Sequence, residues 1–365
     1  MQLTFFTQMF KRILRAPKLA ALVTCIFFVA ENFTELAIRY VPEINRLKKG
    51  IENCDRIPRI NTFSIMCPFD NPGELTTNDT IILTYANSGW SQQVTNWICN
   101  AKKANISKLL VIAVNNDLCD KIGNIPGVKC WTPSLSPTFR SLREKALSDK
   151  VKENNVQNSF NASSNAEWGT ENYGLLLKYR TLIIYSILKC GYPILLSDTD
   201  VIFLKSPLNY LQQLTHDNTS KADALNPRYE MIFQKDATGW RRFDSWGLKG
   251  WFGNWYACAG FAYIIPTPGI IKFWEGMVAF QESDWNDQVG VNLCLRYSSH
   301  RVRWMTLDSD LFPNGRMIQD GYRYNGKEYQ SQAISQQNPY VIHFNWIHEF
   351  QGKIKYMKLM KLWCG

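Results

Sequence analysis

The sequence predicts an α/β domain: a mostly parallel sheet covered by helices on both faces. Three observations carry this. From residue 80 onward, strand-like and helix-like segments alternate, as parallel strands joined by helical crossovers require. The strand candidates are unbroken apolar runs, the mark of strands buried on both sides. The chain has 365 residues, 45% of them hydrophobic, enough for a sizeable core in one large domain or two smaller ones.

The elements follow in order. "TIILTYA", residues 80–86, reads as a strand. Residues 90–104 place Val94, Trp97, Ile98 and Ala101 on one helical stripe. "KLLVIAVN" (108–115) is a second strand and "GVKCWT" (127–132) a short third. Residues 139–170 are polar and read as a surface loop or lid. A helix is predicted from Tyr173 to Lys189, with Leu176, Tyr179, Ile183 and Ile187 on one stripe, ended by Gly191 and Pro193. "PILLS" (193–197) is the next strand.

That strand runs straight into chemistry. In "GYPILLSDTDVIFLKSPL", Asp198 and Asp200 follow the apolar run and precede another, "VIFL". They sit at the carboxyl end of a buried strand, where open α/β sheets bind ligands. In an extended segment alternate acids point apart; in a turn they can converge on one cation. Two hard carboxylates suit Mg²⁺ or Mn²⁺, which commonly bridge protein carboxylates to phosphates. A further ligand is expected. Of the four histidines, His216 and His300 lie in polar stretches. His343 closes a short apolar strand in "YVIHFNW", as the aspartates close theirs, and His348 is the fallback.

Other positions suggest substrate contacts. Tyr85 and Asn87, at the end of the first strand, could meet a nucleotide base or ribose, and Lys178 could contact the nucleotide from its helix or snorkel to solvent. "SDWNDQVGVN" offers Asp284, Asp287 and Gln288; an aspartate there could instead cap a helix. The Trp- and Gly-rich stretch 240–256 could stack an acceptor sugar, and Asp308 in "LDSDLFPNG" could cap a turn.

Over roughly residues 76–365 the chain resembles the nucleotide-diphospho-sugar transferases of glycosyltransferase family 77, which include plant xylosyl- and arabinosyltransferases. The resemblance rests on ordered segments: "LLLKYRTLIIYSILKCGY", "LLSDTDVIFLKSPL", "CAGFAYIIPT", "WNDQVGVN", "LDSDLFPNG" and "VIHFNW" followed by "GKIKY". It implies a GT-A type fold, with a Rossmann-like mixed sheet flanked by helices. It also implies a divalent metal, usually Mn²⁺ (or Mg²⁺), holding a nucleotide-sugar donor. By carry-over Asp200 and His343 bind the metal, and Asp198 binds the metal or the ribose. Gly260 allows close approach to the donor, and Gly352 with Lys353 or Lys355 meets the phosphates. Asp287 and Gln288 become candidates to lie beneath the transferred sugar of a retaining enzyme. The family's Asn-Thr-Gly is replaced here by Cys258-Ala259-Gly260.

The remaining signals concern location. Lys and Arg number 41 against 31 Asp and Glu, a net charge of +10 without clustering, which argues for a spread basic surface rather than nucleic-acid binding. Residues 1–18 are basic and 19–30 apolar, read as a cytosolic tail and an uncleaved signal anchor. A stem over 31–75 and a catalytic domain over 76–365 follow. This predicts a single-pass type II protein of the Golgi or endoplasmic reticulum membrane, with its catalytic domain luminal and a glycan or glycoprotein as acceptor. Asn-x-Ser/Thr acceptors stand at Asn32, Asn78, Asn105, Asn161 and Asn218. Nine of the ten cysteines lie beyond the anchor, so disulfides and at least one free thiol are expected. Two other function classes remain open at this point. One is a haloacid-dehalogenase-like phosphatase or phosphotransferase, which also ends a strand with two alternate aspartates. The other is an inactive glycan-binding relative.

Overall fold

The computed structural model describes residues 45, 48–56, 69, 71–114, 116–133, 171–215, 228–236, 256–281, 286–299, 301–319, 337–347 and 350–364. The compact unit Ile51–Gly365 carries every feature below. Its elements are β1 (Thr76–Thr77), β2 (Thr80–Ala86), α1 (Ser91–Lys103), β3 (Leu109–Ala113), α2 (Asn116–Ile122), β4 (Val128–Trp131), α3 (Glu171–Lys189), β5 (Ile194–Ser197) and β6 (Val201–Phe203). They continue with α4 (Leu208–Thr215), β7 (Met231–Lys235), β8 (Ala257–Ile264), α5 (Pro268–Phe280), α6 (Asp287–Tyr297), β9 (Trp304–Thr306), β10 (Val341–His343) and α7 (Phe350–Leu359).

The main sheet has the order β4-β3-β2-β5-β8-β7-β9, with β1 beside the start of β2. β2 pairs in parallel with both β3 and β5, and β3 with β4. β8 runs antiparallel to its neighbours β5 and β7, which makes the sheet mixed, as expected of a GT-A type domain. The reversal has a consequence for the site. Ser197 pairs with Phe261, so the start of β8 lies beside the end of β5, and Asp198 N donates to Gly260 O at 2.7 Å.

A second, two-stranded sheet completes the arrangement. β6 and β10 pair antiparallel with His343 opposite Val201, and Phe344 N donates to Asp200 O at 3.0 Å. The last strand of the domain therefore delivers its histidine to the acid turn.

The core accounts for the rigidity of that turn. Trp97 on α1 is fully buried, packs edge-on against Phe203, and donates from Nε1 to Ser197 Oγ at 2.9 Å. Thr199 Oγ1 lies 3.2 Å from Gln93 Oε1 on the same helix. Ser197 and Thr199 are thus spent on α1, leaving the alternate aspartates to face the site. Truncating a buried Trp of this kind to Ala costs about 3–5 kcal/mol.

Disulfides tie distant segments to this frame. Cys54 bonds Cys294 on α6, Cys99 on α1 bonds Cys364, and Cys119 bonds Cys130. Cys190 is also disulfide-bonded, and Cys258 is the free cysteine among the described residues. The middle of the stretch expected to be a stem is held to this unit: Asp55 accepts from Ser298 Oγ at 2.6 Å and Ser299 N at 2.8 Å, and the Cys54 carbonyl lies against Gly276. No helix among the described residues is long and apolar enough to cross a membrane, and the expected anchor at 19–30 lies outside them.

Candidate active site

The acid motif forms a turn closed by Val201 N on Asp198 O at 3.2 Å. As expected of a turn, it lets both carboxylates approach one point. His343 Nε2 lies 3.1 Å from Asp200 Oδ1 and 4.0 Å from Asp198 Oδ2, and one ligand atom from each of the three falls within 4.8 Å of the others. The imidazole is 1% exposed, yet Nε2 has no hydrogen-bond partner, since the Asp200 oxygen is close but poorly aligned. A buried polar atom without a partner is costly, and a cation between the three groups would satisfy it.

Gly260 keeps the space open. A Cβ there would come 2.4 Å from Asp198 Oδ2 and 2.6 Å from His343 Cε1. The requirement for glycine is thus one of close approach, and it falls on Asp198 and His343, two of the three clustered groups. Two carboxylates and an imidazole, once its Nε2 is free of a proton, suit a divalent cation.

Charge is concentrated here. Lys353 Nζ on α7 donates to Asp200 Oδ2 at 2.7 Å. Burial works against the Asp200 carboxylate, but Lys353 and His343 outweigh it and hold the group well below the usual carboxylate range. Burial likewise opposes charge on His343, and Asp200 overrides it, raising the imidazole well above its ordinary value. Of the two candidate lysines, the site includes Lys353. Lys355 is exposed two residues further along the helix, on another face, and Gly352 is half-buried in the first turn of α7.

Arg180, which sequence reasoning passed over, organises the second half. It is buried on α3, with Nη1 donating to Asp198 Oδ1 at 2.7 Å and Nε to Asp287 Oδ2 at 2.8 Å. Burial disfavours its charge, but Asp287 and Asp198 together keep the guanidinium firmly protonated. Asp287 stands at the start of α6, but the cap itself is Asn286, whose side chain accepts from Val289 N at 3.0 Å. Gln288 Oε1 accepts from Ala259 N at 3.1 Å, bringing α6 against the Cys-Ala-Gly segment.

The remaining candidates are distributed around this centre. Tyr85 is half-buried at the end of β2 near Tyr179 and Arg180, and burial raises its phenol. Asn87 is buried and accepts from Gly89 N at 3.1 Å, ordering the turn before α1. Lys178 is half-buried on α3, two residues before Arg180. Cys258 is buried, its Sγ 3.8 Å from His343 Nδ1, and burial raises the thiol. Asp308 caps a turn, accepting from Asp310 N at 2.9 Å.

Two buried groups beside the site were not legible. Gln234 on β7 contacts His343 Nδ1 at 2.7 Å. Asp236, one residue past β7, is pushed up to about 6 by burial and accepts from Asn345 Nδ2 at 3.3 Å. A polar residue inside the apolar run "MIFQK" was the available signal for Gln234. His216, His300, His348, Asp284, the loop 139–170 and residues 240–255 of the aromatic stretch lie outside the described residues.

With the geometry in place, likeness to known proteins is informative. Residues 136–357 match the family described as nucleotide-diphospho-sugar transferase. The chain is 22% identical over 299 residues to a UDP-galactose:fucoside alpha-3-galactosyltransferase of Dictyostelium discoideum, covering 76% of this chain and 41% of that protein. It is 24% identical over 209 residues to a UDP-D-xylose:L-fucose alpha-1,3-D-xylosyltransferase of Arabidopsis thaliana, covering 54% and 52%. An arabinosyltransferase of the same plant is 22% identical over 283 residues, covering 75% and 58%. The chain thus spans about half the length of these curated relatives. Among solved structures it is similar at a low level to mouse xyloside xylosyltransferase 1, with 10% identity and a TM-score of 0.40 over 74% of this chain and 98% of that one.

Proposed function

We propose, for a chain that belongs to the nucleotide-diphospho-sugar transferase family, that it moves a glycosyl group from a UDP-linked sugar to a glycan or glycoprotein acceptor. The observation that carries this reading is the convergence of Asp198, Asp200 and His343 at the carboxyl end of β5. The relatives named above are a galactosyl-, a xylosyl- and an arabinosyltransferase, which supports galactose, xylose or arabinose as the donor sugar.

Transfer breaks the bond from the anomeric carbon to a phosphate oxygen, so negative charge grows on the leaving diphosphate. Asp198, Asp200 and His343 would hold a divalent ion, for which we assign Mn²⁺ (or Mg²⁺), and when bound it would supply positive charge against the leaving diphosphate. Lys353, already beside Asp200, places a second positive charge at the same side. Arg180 locks Asp198 against Asp287, so the Asp198 carboxylate keeps one orientation. Gln288, held by the Ala259 amide, is the group we assign beneath the sugar, and transfer with retention is the expected outcome. The haloacid-dehalogenase-like alternative is not favoured, because the acid motif follows the fifth strand and the family is a transferase family.

The location we assign is the lumen of the Golgi or endoplasmic reticulum, behind an N-terminal type II anchor. Three disulfides among the described residues support an oxidising compartment, and Asn78 and Asn105 are exposed acceptors for glycosylation. A glycosidase-sensitive mass on the secreted-pathway protein tests this.

The central test is release of UDP by the full chain from UDP-xylose, UDP-arabinose and UDP-galactose, with Mn²⁺ and with EDTA, in the presence of fucosides among other acceptors. Metal-dependent release from at least one donor is expected. Its absence from all of them would remove the proposal, and the anomer of any product decides between retention and inversion.

A further inference from the structure

We propose that Gln234 is a positioning residue of the cation site: it holds a proton on His343 Nδ1 and so reserves Nε2 for the ion. The inference rests on the cation reading above, but its own logic is one of donors and acceptors. Gln234 is fully buried on β7. Its side-chain nitrogen lies 3.0 Å from Phe312 O and 3.1 Å from Pro313 O. Carbonyl oxygens only accept, so the amide NH₂ must face them. Oε1 is then turned the other way, 2.7 Å from His343 Nδ1. Oε1 also only accepts, so Nδ1 must carry the proton. The reversed amide would set oxygen against two oxygens in a buried site. Cys258 Sγ, 3.8 Å from the same nitrogen, is too weak a partner to override this. With that proton on Nδ1, the neutral ring has its free lone pair on Nε2, the nitrogen that faces Asp198 and Asp200, and a cation takes the place of any proton there.

The two carbonyls are themselves fixed, which gives "LDSDLFPNG" a role. Asn314 Nδ2 donates to Lys235 O at 3.1 Å and Asp236 O at 2.8 Å, pinning the segment to the end of β7. Asn314 Oδ1 accepts from Arg316 N at 3.1 Å and Met317 N at 3.2 Å. Pro313 O also receives the backbone N of His343 at 3.1 Å, so one carbonyl orients both the histidine's main chain and the amide that reads its ring. The motif is a rack that sets the amide, and the amide sets the ring. Groups that hold the far nitrogen of a metal-binding histidine typically govern about 10–100-fold in metal affinity.

The test is Mn²⁺ affinity by electron paramagnetic resonance titration of the full chain and of Gln234→Met, which keeps the length and removes donor and acceptor. Binding weaker by about 10–100-fold is expected. A variant with lowered Tm but parental Mn²⁺ affinity would show a structural role only and overturn the proposal. Nitrogen-15 spectra of histidine-labelled protein with Mg²⁺, a diamagnetic probe, give a second readout that only four histidines make tractable. They should show a slowly exchanging proton on His343 Nδ1 and none on Nε2. The opposite pattern in the parent protein overturns the proposal, and this holds even where Gln234→Met fails to fold. A parent that binds no cation, yet protects an Nδ1 proton that Gln234→Met loses, would sink the cation reading and uphold the role of Gln234.

Discussion

Arg180 Nη1 lies 2.7 Å from Asp198 Oδ1, and the same guanidinium reaches Asp287 on α6. One side chain thereby joins the acid turn to the helix that carries the candidate sugar-facing residues. Arg180→Met removes the charged partner of the buried carboxylate at position 287. Breaking one half of such a pair costs about 3–5 kcal/mol. Urea unfolding should show a loss of that order, and UDP release should fall with it. Arg180→Lys should rescue little, since an ammonium cannot span both acids in the guanidinium's geometry.

Asp200→Asn keeps the shape of the turn and removes a ligand and the charge that pairs with Lys353. The expected drop in transfer rate is about 10²–10³-fold, the range seen when one electrostatic partner of the reacting charge is lost. Turnover of the chosen donor at saturating Mn²⁺ measures it, and a variant with parental turnover would remove Asp200 from the site.

Gly260→Ala places a methyl group where Asp198 and His343 now meet. Both ligands must shift, so Mn²⁺ affinity should fall at least tenfold, by about 1.4 kcal/mol or more. Titration of Mn²⁺ against the folded variant decides this.

Asp236 supplies a pH signature. Its folded-state pKa of about 6 lies above the usual carboxylate value, because burial disfavours the anion. Between about pH 4 and 6 the folded chain therefore holds a proton that the unfolded chain has released, and stability falls as pH rises through that window. Asp236→Asn removes this slope. Relative to the parent, the variant should gain about 2–3 kcal/mol in going from pH 4 to pH 7, as read from denaturation midpoints.

Cys99→Ser opens the bond between α1 and the chain's end. A loss of about 2–5 kcal/mol is expected. Because Cys364 follows α7, Lys353 should lose its fixed approach to Asp200, and activity should fall at temperatures below the unfolding transition.

Much of the frame could be read from residues alone. β2 appears where "TIILTYA" ran unbroken, and β5 ends at Ser197 just before the acids, because burial on both faces leaves a signature that needs no context. The cluster of Asp198, Asp200 and His343 was legible for the same reason: ionisable groups abutting a core stand out. The reversed direction of β8 was not, since it depends on how the chain crosses from β7 through residues 237–255. Arg180 was missed because a charge on an otherwise apolar helix reads as solvent-facing, and the neighbouring Lys178 drew the assignment instead. Its partners sit 18 and 107 residues away, and only folding reveals them. The choice between Lys353 and Lys355 was one of helical phase, which the spacing after His343 could not set.

The antiparallel pairing of β6 with β10 has a temporal corollary. Asp200 and His343 are 343 − 200 = 143 positions apart. At about 5–20 residues per second of synthesis, roughly 7–30 s separate the appearance of the two ligands on the ribosome. The nascent chain exposes its aspartate pair long before the imidazole arrives, so the three groups can meet only after β10 has been made.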